Sequence, residues 1–268
     1  MTELLAKHDR CRITAKHGVY YWGNSLDLMR TIPDASVDLL LFSPPFGGPA
    51  EIPERHHTGD SFVRWFRPFC AEFARILRPT GSLVFELGAT WLTDAPGKAV
   101  QHAAAIHTLA GSGWRLIQDF YCYTPQPVRL TPACPARAAD LVLPIWVMSR
   151  TYDVYYDAAA LRRPPYVDHL RGNLLEFGAA DEADRAYERA LAATGLEPNR
   201  QRWPVSLPMM FVELLSRAGD LVLDPFAGTG AASLAAERLG RRWIGIERDR
   251  ALEPHVRAMF ASVGNGVR

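Results

Sequence analysis

The stretch LVLDPFAGTGAASLAAERLGRRWIGIERD, residues 221–249, decides the fold class of this chain. An apolar run ends at Leu223, Asp224 to Gly230 make a turn, a helical pattern continues to about Leu239, and a second apolar run closes at Glu247. Strand, turn, helix, strand is the repeating unit of a parallel sheet. Gly228 and Gly230 let the turn tighten and let its backbone come close to a ligand. An acidic residue at the tip of the next strand, Glu247, is placed to accept hydrogen bonds from both hydroxyls of a ribose.

Three ligands compete for this turn. A phosphate-cradling loop needs Gly-Lys-Ser/Thr, and no lysine follows Gly230. A dinucleotide turn reads G-x-G-x-x-G, and Ser233 stands where the third glycine belongs. Asp224 sets a negative charge beside the turn, which suits a cationic sulfonium amino acid better than a pyrophosphate. With the second motif below counted, S-adenosylmethionine is the reading adopted, held by Asp224, Pro225, Phe226, Ala227, Gly228, Thr229, Gly230 and Glu247. A glycine turn with a purely structural role is the bland alternative.

Outward from this unit, short apolar runs alternate with amphipathic stretches, the α/β pattern of a mostly parallel sheet covered by helices on both faces. Strands are expected at Val19–Gly23, Val37–Phe42, Ser82–Leu87, Trp114–Tyr123, Leu141–Ser149, Asp220–Leu223 and Arg242–Ile246. Between Asp60 and Leu77, Phe62, Trp65, Phe66, Phe69, Phe73, Ile76 and Leu77 recur at helical spacing, with Pro68 predicting a kink or a late start. Two stretches resist the alternation. One is the proline-rich Thr124–Ala139; the other is Thr151–Trp203, polar, with a single expected helix over Asp181–Ala193.

The 268 residues are 48% hydrophobic and 22% charged, enough for one large domain or one domain with an insertion. No apolar run is long enough to span a membrane, and MTELLAKHDRCRIT is too charged for a signal peptide, so a cytoplasmic protein is expected. Cys11, Cys70, Cys122 and Cys134 have neither metal-finger nor disulfide spacing, and no metal is expected. A net charge of +1 means that binding to a polyanion must come from local clusters.

FSPPFGG, residues 42–48, carries the second motif: two prolines stiffen the tip of an expected strand, and two glycines follow. Together, SPPF and DPFAGTG with its downstream acidic strand end resemble the β-class DNA amino-methyltransferases of bacterial restriction–modification systems. The resemblance runs from about Tyr20 to Asp249, except for 151–199, and includes RWPVSLP (202–208), where Ser206 stands in place of a lysine common in the family. It implies a Rossmann-like S-adenosylmethionine-dependent methyltransferase fold with a seven-stranded sheet and a circularly permuted motif order: target-amine motif first, recognition region in the middle, cofactor loop near the C-terminus. Residues 1–150 and 200–268 would then be catalytic. Residues 151–199 would be an inserted target-recognition region, with 124–140 as an accessory DNA-facing loop. The partner would be double-stranded DNA, with no membrane; the resemblance also raises a cognate restriction endonuclease, and oligomeric state is left open.

The chemistry of the motif is physical. An exocyclic amine is a poor nucleophile, because its lone pair is delocalised into the ring. Two acceptors for its hydrogens pyramidalise the nitrogen: the Ser43 hydroxyl and the Pro44 carbonyl, with Pro44 and Pro45 fixing the backbone. Phe46 offers a face on which an extruded base can stack. Serine at the first position resembles the cytosine-N4 members more than the adenine-N6 members. No Pro-Cys dipeptide occurs, which argues against carbon-5 chemistry.

The family contacts the cofactor's adenine where Asn24 stands; a turn residue after Gly23 is the competing reading. Glu86 and Gly88 end their expected strand near the same pocket. Arg129, Arg137, Arg162 and Arg163 lie in the irregular segments and are the expected DNA contacts. His56 and His57 follow SPPF on what reads as an exposed loop. The alternatives to cytosine N4 are adenine N6, a catalytically inactive DNA-binding relic, and a small-molecule methyltransferase.

Overall fold

The computed structural model describes residues 12–45, 59–92, 95–128, 138, 140–177, 181–199 and 202–261. In chain order the elements are β1 (Arg12–Thr14), β2 (Gly18–Trp22), α1 (Ser25–Met29), β3 (Val37–Phe42), α2 (Gly59–Ile76), β4 (Leu77–Glu86), β5 (Thr90–Trp91), β6 (Lys98–Ala99), α3 (Gln101–Gly111), β7 (Arg115–Val128) and β8 (Asp140–Ser149). Then come α4 (Tyr166–His169), β9 (Leu170–Arg171), β10 (Leu174–Leu175), α5 (Glu182–Ala192), α6 (Ser206–Leu215), β11 (Leu221–Asp224), α7 (Ala231–Arg238), β12 (Arg242–Glu247) and α8 (Glu253–Phe260).

One sheet holds ten of these strands, in the order β1-β2-β12-β11-β3-β4-β8-β7-β10-β9, whereas β5 and β6 pair separately. Five neighbours, β2-β12-β11-β3-β4, run parallel. β8 lies antiparallel between β4 and β7. The sheet therefore has more strands than the seven expected: β1 and the two-residue β9 and β10 are additions at its edges, too short for any periodicity to announce.

Alternation along each strand builds two cores. Leu39 and Leu41 of β3 and Val222 of β11 face one side with buried residues of α5, α6, α7 and α8. Leu40 and Phe42, with Leu221 and Leu223, face the other side with α1, α2 and α3. Tyr166, Leu175, Phe177, Tyr187 and Leu191, all from the expected insertion, are buried in the first of these cores rather than in a core of their own.

Three local expectations change. α2 starts at Gly59 and runs through Pro68. The proline is exposed, and Phe62, Phe66, Phe69, Phe73 and Ile76 are each at most 4% exposed. Burying five such side chains, at about 1.5–3 kcal/mol each, outweighs the roughly 3 kcal/mol an internal proline costs. β4 begins at Leu77 rather than at the expected Ser82, with a bulge over Arg78–Gly81: Leu77 pairs with Val37, and Ser82 already pairs with Leu39. β7 continues past Tyr123 to Val128, with an irregularity before Val128 pairs with Asp140, so part of the expected accessory loop is strand.

Candidate functional site

The topology brings the two sequence motifs together. Leu223 of β11 pairs with Leu40 of β3, so Asp224 and Ser43 leave neighbouring parallel strands at their carboxyl ends. β12 flanks β11 on its other side, placing Glu247 next in line, and β2 follows with Asn24 just beyond it. Chain order reverses between β3 and β11, the crevice where open α/β sheets hold ligands.

The turn after β11 is held from several directions. Gly228 and Gly230 have φ of 54° and 89°, the left-handed region that side chains disfavour. The Tyr20 hydroxyl, fully buried, donates to the Gly228 carbonyl at 2.7 Å. Ser25 donates to the Pro225 carbonyl at 2.5 Å. Asp224 is 6% exposed and accepts from the Phe226 N–H at 2.9 Å. Burial pushes its carboxyl up to about 8, against the pull of that N–H, and the charge of Glu247 adds to the rise. Phe226 packs its ring 5.0 Å from Phe69, 5.5 Å from Phe42 and 5.7 Å from Trp65, so its side chain anchors the turn on α2.

Glu247 is busier than expected. One oxygen accepts from the Gly228 N–H at 2.9 Å, and the other accepts from Arg248 and Asp249, both at 2.8 Å. A carboxylate offers about four acceptor positions, so roughly one remains for a ribose hydroxyl. Asn24 caps α1, accepting from the Leu26 N–H at 2.9 Å, and its carboxamide is exposed. The capping role is real, and the amide NH2 is left as the donor toward a ligand. A nucleoside cofactor fits these residues: the Thr229 hydroxyl is buried in the turn without a hydrogen-bond partner, and beside it Gly228 is half-buried with nothing nearer than 4.0 Å where a side chain would stand.

At the end of β3, Ser43 is half-buried and Pro44 buried; Phe46, His56 and His57 lie outside the described residues. The Ser43 hydroxyl hydrogen-bonds to Glu86, the last residue of β4. Glu86 is 6% exposed and also accepts from the indole N–H of Trp203 at 2.6 Å. Burial raises its pKa, and the bonds from Trp203 and Ser43 pull it back. Among the described residues, no cluster of His, Cys, Asp and Glu could hold a metal ion.

The DNA methylase family, N6_N4_Mtase, matches residues 37–256. The chain belongs to this family. It is similar to the type II methyltransferase M.PvuII of Proteus hauseri, with 26% identity over 273 residues, covering 87% of this chain and 81% of that protein. The solved structure of the PvuII DNA methyltransferase, described as cytosine-N4-specific, superposes with a TM-score of 0.79 at 25% identity, covering 95% of this chain and 91% of that one. The Thermus thermophilus protein TTHA0409, complexed with S-adenosyl-L-methionine, shares the fold, with a TM-score of 0.68 at 21% identity over 94% of this chain and 96% of its own.

In this DNA methylase the middle segment differs from the sequence reading. Arg163 is ion-paired with Asp157 and lies 3.9 Å from Glu213, which also accepts from the Tyr166 hydroxyl at 3.3 Å. The arginine ties 151–166 to α6, with its side chain 53% exposed. Arg162 ends a short 3-10 turn and is exposed. Arg129 and Arg137 lie outside the described residues. No helix among the described residues is long and apolar enough to cross a membrane.

Glu86, Trp203, Ser25 and Tyr20 are the residues that sequence reasoning missed or left unranked. Only Glu86 had a local signal, a lone acid closing an otherwise apolar strand.

Proposed function

We propose that this DNA methylase transfers a methyl group from S-adenosylmethionine to the N4 amine of a cytosine extruded from double-stranded DNA. The observation that carries the reading is Ser43 at the tip of β3, beside Asp224 at the tip of β11, with its hydroxyl bonded to buried Glu86. The cytosine-N4-specific PvuII enzyme, alike over nearly the whole chain, supports the choice of base.

When bound, S-adenosylmethionine supplies an electrophilic methyl on a cationic sulfur. Asp224, Asn24, Thr229 and the turn from Pro225 to Gly230 would hold it, with Glu247 at the ribose. At the target, a serine hydroxyl can accept a hydrogen bond from an amine only if its own hydrogen is directed elsewhere. Glu86 takes that hydrogen, leaving the Ser43 oxygen lone pairs for the amine. The Pro44 carbonyl is the second acceptor, fixed by Pro45, and Phe46 stacks on the base.

The finer organisation belongs to the same proposal. SPPF precedes DPFAGTG in the chain although both close one crevice, as a circularly permuted order requires. Target recognition falls to 151–199 and 124–140, where exposed Arg162, with Arg129 and Arg137, meets phosphate or base edges. A companion endonuclease of the same site is the natural partner of such an enzyme.

Mass spectrometry of nucleosides from DNA of cells expressing the protein should find N4-methyldeoxycytidine. N6-methyldeoxyadenosine alone would move the target to adenine within the same mechanism. No modified base, with S-adenosylmethionine still bound, would overturn the catalytic reading.

A further inference from the structure

RWPVSLP belongs to no strand, and its tryptophan does not simply fill a core. Trp203 is half-buried and directs its indole N–H at the Glu86 oxygen, 2.6 Å away. The segment is fastened on its other side. Arg202 makes an ion pair with Asp184 of α5, lies 4.6 Å over the Tyr187 ring, and donates to the Trp203 carbonyl at 3.3 Å. Asp184 is 0% exposed and the Arg202 side chain 10%, so this pair is largely shielded from water. Asp181 secures both helices at once: one carboxylate oxygen accepts from the Asp184 N–H at 2.9 Å, starting α5, and the other from the Ser206 N–H at 2.7 Å, starting α6.

We infer that Trp203 is a positioning residue that fixes the Glu86 carboxylate beside Ser43, and that α5 holds it there through the Asp184–Arg202 pair. This rests on the reading of Ser43 as the amine acceptor. A carboxylate with only one hydrogen-bonding partner is free to rotate; bonded by both Trp203 and Ser43, it is held between β3 and the segment before α6. The region read as recognition insertion thereby helps to build the catalytic end of β4.

The groups facing Glu86 are Ser43 after β3, Trp203 before α6, and Cys122 of β7. The Cys122 thiol is pushed up to about 12, by burial first and by Glu86 second, so it stays protonated across the working range. On β8, the residue paired with Glu86 is the apolar Ile145. A change in ionisation at this place therefore reports Glu86.

Trp203→Phe keeps most of the apolar area and removes the N–H donor. Carbon-13 NMR titration of the Glu86 carboxyl should show its pKa rising by about one to two pH units, the worth of one hydrogen bond to a charged group. At saturating cofactor, the acid limb of the single-turnover rate should move up with it. The rate should fall about ten- to a hundredfold on the acid side and converge on wild type on the alkaline side. Asp184→Asn should move the carboxyl titration in the same direction by a smaller amount. An unmoved Glu86 titration in Trp203→Phe overturns the inference. So does a uniformly lowered rate with an unchanged pH profile, which is what lost packing alone would give. The NMR readout needs no turnover, so a wild type that methylates no cytosine fails the functional reading separately.

Discussion

The turn after β11 and the cluster around Glu86 sit at the carboxyl ends of the parallel strands and are specified in different ways. The turn carries its defining signals locally. Within residues 224–247 stand two glycines with positive φ, an acid closing each flanking strand, and small residues opening α7, while Tyr20 and Ser25 brace it from the start of the chain. The cluster is assembled from afar. Ser43, Glu86 and Trp203 come from three separate parts of the chain and meet only because β3 and β4 are neighbours and α5 pulls the segment before α6 inward. The cofactor end should therefore tolerate changes in the middle of the chain, whereas the target end should not.

The largest expected effect tests that asymmetry. Asp184→Asn leaves the Arg202 guanidinium buried without its counter-ion, and breaking such a pair costs about 3–5 kcal/mol. Chemical denaturation should show that loss, while cofactor affinity of the folded protein stays near wild type. A loss below about 1 kcal/mol would mean that α5 clamps nothing.

Next comes the turn itself. The Asp224 carboxyl, raised to about 8 by burial, is mostly protonated in the free protein at neutral pH, and a bound sulfonium favours its ionised form. Affinity for S-adenosylmethionine should therefore strengthen with pH up to about 8, by at most about tenfold per unit. The linkage to stability has the opposite sign. A raised pKa contributes stability at acid pH that is lost as pH rises through the folded-state value. Asp224→Asn should therefore bind cofactor weakly and without pH dependence, yet gain thermal stability over wild type above pH 8. Calorimetric titration and melting curves from pH 6 to 9 read both, and a pH-independent wild-type affinity would remove Asp224 from the sulfonium.

The smallest effect separates two adjacent arginines. Arg162→Ala should lower the salt dependence of DNA binding by up to roughly one phosphate. Arg163→Ala should leave it unchanged, because Asp157 and Glu213 already engage that side chain. Equal slopes in the two variants would show that these ion pairs open on DNA.

What the sequence made legible follows the same division. The α/β alternation, the βαβ unit and the turn could be read because helix and strand periodicities and positive-φ glycines are properties of neighbouring residues. Pro68 does not delay the start of α2, because a local rule is outweighed by five buried side chains along the helix. The ion pairs of Arg163 could not be read because its two acids lie 6 and 50 positions away in the chain. Trp203 and Ser25 were invisible as site residues: one sits in an irregular segment and one opens a five-residue helix, and only the packed sheet turns them toward Glu86 and Pro225.

The central claim is that Ser43, its own hydrogen directed to Glu86, accepts a hydrogen bond from the target amine. Single-turnover methyl transfer by Ser43→Ala, with cofactor and DNA both saturating, tests it most directly. The rate should fall ten- to a thousandfold, roughly the loss of one positioned polar contact in the transition state, while both ligands bind as in wild type. A variant that transfers methyl at the wild-type rate would contradict the account.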